Sequence, residues 1–165
     1  MAISGSKILV WVEPPTAYVR LVGRAAVEGA RDFKALVLRL DQQGIREFCL
    51  DLTECKIMDS TFSGVLAALA TDMKLRQVQF SLVHPNERIS DLLDNLGVLP
   101  LLNVITDGGP AFHGSAQEVS STSASKQETA ECCLEAHRFL MALKPENQGK
   151  FAELTRILEQ QIGES

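Results

Sequence analysis

Residues 50–73 read LDLTECKIMDSTFSGVLAALATDM. A strand ends near Leu52, and a short loop leads to a helix that starts at Ser60 or Thr61. Phe62, Val65, Leu66, Leu69 and Met73 recur every three or four residues and give that helix one apolar stripe. Ser60 stands where an N-cap is expected, its hydroxyl accepting a bond from an amide one turn later. A helix start also presents unpaired amides and a partial positive charge. A phosphate on Ser60 would lie against those donors and add about −1.5 to −2 charge beside Asp59. On physics alone, plain capping outweighs a phosphorylation role, because capping serines are common.

Outward from this stretch, short strands alternate with helical patterns. Lys7–Val12 (KILVWV) and Ala17–Val22 (AYVRLV) flank Glu13-Pro14-Pro15 and predict an opening hairpin. Val27, Ala30, Phe33, Val37 and Leu40 predict a helix, stopped near Gly44. Glu47–Leu52, Val78–Val83 and Asn103–Thr106 read as strands. Ile89, Leu92, Leu93 and Leu96 read as a helix that closes at Gly97. The order predicts an α/β fold, with helices packed on a mixed sheet built from an opening hairpin and β-α repeats.

From residue 114 to 125 the sequence is GSAQEVSSTSAS, with five serines and Val119 as its one large apolar residue. It reads as a linker. Two amphipathic stretches follow, one with Ala130, Cys133, Leu134, His137, Leu140 and Met141, the other with Phe151, Leu154, Leu158 and Ile162. The expected organisation is a domain over 1–113, a Ser-rich linker over 114–125 and a two-helix extension over 126–165. The extension either folds back on its own domain or packs on a second chain; the reading leans to a homodimer or exchanged tail through these helices.

The chain has 165 residues, 16 Lys+Arg and 21 Asp+Glu, for a formal net charge of −5. Neither the first 110 residues nor the rest carries the basic surplus of a nucleic-acid surface. No apolar run approaches the ~20 residues that span a bilayer, and no signal-peptide pattern opens the chain. The expectation is a cytoplasmic protein without nucleic-acid or membrane partners. Its four cysteines form no Cys-x-x-Cys pair and its three histidines are scattered, so neither a metal site nor a cofactor is expected.

Ile57-Met58-Asp59-Ser60-Thr61-Phe62-Ser63-Gly64-Val65-Leu66 closely resembles the signature of STAS domains, the family of bacterial anti-sigma factor antagonists. The order of elements matches as well, as does Ser81-Leu82-Val83-His84-Pro85 leading into a helix that ends Asn95-Leu96-Gly97-Val98. The resemblance covers Lys7 to Asp107. It implies a phospho-switch centred on Ser60. The unmodified form binds a serine-kinase anti-sigma factor; the phosphorylated form releases it, and a PP2C-type phosphatase restores the serine. Asp59 would support the site, and an exposed edge at Thr61, Ser63 and Gly64 would dock the partner. One departure stands in Gly23-Arg24-Ala25-Ala26-Val27, where switch-bearing members often carry an earlier acidic residue; here the first is Glu28. A STAS module that binds without being phosphorylated, as a scaffold or small-ligand sensor, therefore stays open.

Other chemistries carry less weight. Ser60 lies in no Gly-x-Ser-x-Gly elbow, so a nucleophile served by His84 and an acid at Asp59 or Asp107 is disfavoured and no enzyme is expected. No phosphate-cradling glycine motif occurs. Cys133 and His137 read as packing residues of an apolar stripe, with only Glu131 and Glu135 as nearby charges.

Overall fold

The computed structural model describes residues 6–109 and 115–163. Two strands open the chain, β1 (Lys7–Glu13) and β2 (Thr16–Ala25), followed by α1 (Val27–Gln42) and β3 (Glu47–Asp51). Then come β4 (Cys55–Met58), α2 (Ser60–Leu75), β5 (Gln79–Val83), α3 (Glu87–Asn95) and β6 (Asn103–Ile105). A two-residue strand β7 (Gln117–Glu118) precedes α4 (Lys126–Leu143) and α5 (Glu146–Gly163). The mixed α/β fold, its opening hairpin and its C-terminal helical pair agree with the sequence reading.

The sheet runs β6-β5-β3-β2-β1-β7, with β4 alongside the far end of β2. β1 is antiparallel to its neighbours, while β2, β3, β5 and β6 are mutually parallel. Strand alternation builds one continuous apolar face: Ile8 opposes Leu21, Val19 opposes Leu50, and Phe48 lies between Ala17 and Phe80. Helix α1 contributes Phe33 and Val37 to the same core, and α2 contributes Phe62, Leu66 and Met73. The Phe33 and Phe62 rings sit 4.9 Å apart and bring the two helices together.

Two strands escaped the sequence reading. β4 is only four residues long, and its pairing with β2 is offset by a bulge at Gly23, whose φ is +84°. That conformation suits glycine, and the Gly23 amide donates to Glu54 O at 2.9 Å. β7 lies within the serine-rich segment. Instead of a free linker, this segment runs along β1: Leu9 pairs with Glu118, the Val119 amide donates to Ile8 O at 2.9 Å, and the Thr122 amide donates to Asp32.

The two terminal helices form an antiparallel hairpin that folds back over α1 and α2 of the same chain. A Ser125–Glu128 capping box starts α4. At the hairpin turn, the buried Asn147 side chain donates to Leu140 O at 2.7 Å and Leu96 O at 3.0 Å. This ties both helices to the end of α3. Within this chain the extension packs on its own domain, chiefly through α4 on α2.

Candidate functional site

The site grows from the end of β4. The Asp59 amide donates to Ala25 O at 2.9 Å, continuing the β2–β4 pairing into the loop. The Asp59 carboxylate then serves two helices at once. Its Oδ1 accepts from the Phe62 amide at 2.8 Å, and its Oδ2 accepts from the Val27 amide at 3.0 Å. Asp59, not Ser60, is therefore the N-cap of α2. The correction has a plain cause. An ionised carboxylate is a stronger acceptor than a hydroxyl at a helix start, and one carboxylate satisfies amides of both α1 and α2. Helix α1, which starts after Ala26, has no side-chain cap of its own.

Relieved of capping, Ser60 is the first residue of α2, and its Oγ lies 2.8 Å from Nε2 of His137 on α4. His137 is 1% exposed. Its Nδ1 lies 2.7 Å from the Cys133 carbonyl oxygen, so Nδ1 carries the proton and donates. In the neutral imidazole, Nε2 then accepts the Ser60 hydroxyl proton. Phe151 of α5 meets the His137 ring edge-on at 4.7 Å. Thr61 donates to Cys133 Sγ at 3.4 Å, and Cys133 Sγ lies 3.5 Å from His137 Nδ1.

Glycine 64 sets how closely the helices approach. A Cβ on this residue would lie 2.5 Å from the Ala136 carbonyl oxygen and 2.8 Å from the Ala136 Cβ. α4 can sit on α2 at this depth only over a residue without a side chain. Thr61 is 5% exposed and Ser63 0%, with the Ser63 hydroxyl donating to Asp59 O at 2.9 Å. The edge expected to be open at Thr61, Ser63 and Gly64 is therefore covered. The physical reason is α4, whose small residue Ala136 and polar Cys133 and His137 match the small and hydroxylated residues of α2.

Electrostatics follow the same contacts. Burial opposes charge on His137, but its hydrogen bonds to the Cys133 side chain and carbonyl, with the nearby Asp59 charge, raise its pKa overall. Burial opposes the Cys133 thiolate as well; hydrogen bonds from His137 and Thr61 outweigh it and lower its pKa. For Cys49 and Cys55 burial dominates and pushes each up to about 11. Cys133 thus differs from the inert packing thiol the sequence suggests. The neighbour that lowers it is His137, one turn along its own helix.

His84 does not join Ser60. Its ring nitrogens lie 3.1 Å and 2.9 Å from the Thr106 and Gly108 carbonyl oxygens, at the far end of β5. The role of His137 was missed from sequence, although one signal was present. A histidine within an apolar helical stripe needs a polar partner when buried, and Ser60 is that partner. Two apolar-lined cavities lie elsewhere: one of about 480 Å³ beside Arg24, Gly29 and Asp32, another of about 440 Å³ between α1, α2 and α4. Neither is lined by Ser60 or His137. Among the described residues, no helix is long and apolar enough to cross a membrane.

The fold and the Asp59–Ser60 helix start define a class, the STAS fold. A model of the STAS domain matches residues 8–121, and the chain belongs to that family. Two solved structures share the fold. A candidate anti-sigma factor antagonist from Thermotoga maritima is 20% identical, with a TM-score of 0.54 over 58% of this chain and 82% of that one. The Bacillus cell-fate determinant SpoIIAA, in its phosphorylated form, is 17% identical, with a TM-score of 0.50 over 60% of this chain and 90% of that one. No curated protein matches the chain. α4 and α5 lie beyond the residues the family model matches.

Proposed function

We propose that this protein is a non-enzymatic, cytoplasmic regulator of the anti-sigma factor antagonist type. It binds a serine-kinase anti-sigma factor and is switched off by phosphorylation of Ser60. A PP2C-type phosphatase restores it. The observation that carries the reading is Ser60 itself. Asp59 takes over capping, so the Ser60 hydroxyl, at the first position of α2, is not needed to hold the helix together. A serine free of capping at a positive helix end suits a phosphate. A structure of SpoIIAA, which shares the fold, is of its phosphorylated form.

In the transfer step, Ser60 Oγ bonds to the γ-phosphorus of ATP. The bond from that phosphorus to the β–γ bridging oxygen breaks, ADP leaves, and the hydroxyl proton passes to a base of the kinase. The dianion formed beside Asp59 repels an acidic partner patch and is costly to desolvate in an interface. Asp59, Thr61, Ser63 and Gly64 make up the docking face in this reading. Incubation with the cognate kinase and ATP, followed by mass spectrometry, tests it. Phosphate on Ser60 that disappears in Ser60→Ala is the expected result; undiminished incorporation in that variant overturns the assignment.

A further inference from the structure

We infer that the α4–α5 hairpin is a cis-acting cover of the Ser60 face, and that a partner reaches Ser60 only after the hairpin has moved off α2. The gating role rests on the phospho-switch reading; the cover rests on contacts alone.

Three contacts set the cover. The Ser60 hydroxyl is half-buried and lies 2.8 Å from His137 Nε2, so α4 stands against the serine itself. Thr61 is held by Cys133, and Ala136 lies on the bare backbone of Gly64. The occupant of this docking face is thus a defined segment of the same chain. A partner that docks on Thr61 and Gly64 meets α4 first, because Cys133 and Ala136 occupy that turn of α2.

The same contacts are separable. Outside its apolar centre at Leu134, Ala136 and Leu140, α4 is held to α1 by two exposed ion pairs, Arg31–Glu128 at 3.0 Å and Lys34–Glu135 at 3.3 Å. Such pairs are weak and screened by salt. The described cysteines are all free, so no disulfide fastens the hairpin. α2 also keeps its own cap and its own core stripe when α4 leaves, because Asp59, Phe62, Leu66 and Met73 engage other elements. A cover with an intact site beneath it is the arrangement of an intramolecular competitor.

The test places its opening substitutions on the hairpin alone. Ala136→Arg forces bulk against Gly64; the double substitution Glu128→Lys with Glu135→Lys reverses both ion pairs, removes the Glu128 half of the capping box that starts α4, and leaves the core untouched. Each is combined with Ser60→Cys, and maleimide labelling at position 60 is followed by mass spectrometry, with the buried Cys49 and Cys55 as internal controls of folding. The expected result is labelling at least tenfold faster with Ala136→Arg and severalfold faster with the charge reversals, while Cys49 and Cys55 stay unlabelled. Equal rates at position 60 in covered and opened chains overturn the cover. The same opening substitutions, with Ser60 in place, are then given the cognate kinase and ATP. Phosphorylation that accelerates with labelling supports gating. Faster labelling without faster phosphorylation of Ser60 overturns gating. Faster labelling with no phosphate on Ser60 in any chain supports the cover and removes the phospho-switch reading instead.

Discussion

Substituting Gly64→Ala isolates the helix contact on which the cover depends. The added Cβ would stand 2.5 Å from the Ala136 carbonyl oxygen and 2.8 Å from its carbon, both backbone atoms of α4. Ordinary heavy-atom contacts lie at roughly 3.5 Å or beyond, so α4 must retreat by on the order of 1 Å. Overpacking of this kind costs about 1–3 kcal/mol. Alanine also favours helix over glycine by about 0.8–1.0 kcal/mol. That gain is present whether α4 is on or off, so it cancels from the closing equilibrium. The open population should therefore rise roughly 5- to 150-fold. Hydrogen exchange read by mass spectrometry at neutral pH measures it directly. Amides of α4 should exchange faster by that factor, while β2, β3 and β5 stay as protected as before or more so. Unchanged exchange in α4 would refute the packing argument. Acceleration of α4 and the sheet together would refute the idea that the hairpin opens as a unit.

Three further outcomes follow from other contacts. Asn147→Ala removes both donors to the buried Leu140 and Leu96 carbonyls and should cost about 1–3 kcal/mol in urea unfolding; a change under 0.5 kcal/mol would contradict its role as the hairpin anchor. His137 has a raised pKa, so its pH-linked contribution is fully present below the ordinary histidine value of about 6.5 and is lost as pH rises through the raised one. The stability difference between the wild type and His137→Gln should shrink over that window, and a difference that grows with pH would reverse the sign. Phe62→Ala empties a 1%-exposed position against Phe33 and should cost about 3–5 kcal/mol by thermal or urea denaturation.

Much of the fold was legible because its signals are local. The stripes of α1, α2 and α3, the alternation in β1 and β2 and the breaks at Pro14-Pro15, Gly44 and Gly97 each depend on residues a few positions apart. β4 and β7 were not legible, since four- and two-residue strands carry no period of their own and exist only by pairing with β2 and β1. The cap of α2 was misplaced by one residue. Asp59 and Ser60 are both good caps, and the choice between them turns on the Val27 amide, 32 residues away.

The sequence by itself determined the STAS domain, its element order and the position of Ser60 at the start of α2, because a ten-residue motif and short-range periodicity are contained in the chain's local order. Only the tertiary structure decided that Asp59 frees Ser60 from capping, that Gly64 admits α4, and that His137 closes on the serine from 77 residues away. The amphipathic stripe of α4 announced that it needed a surface to cover. Which surface it took depends on side-chain fit between two helices distant in sequence, and no local pattern encodes that.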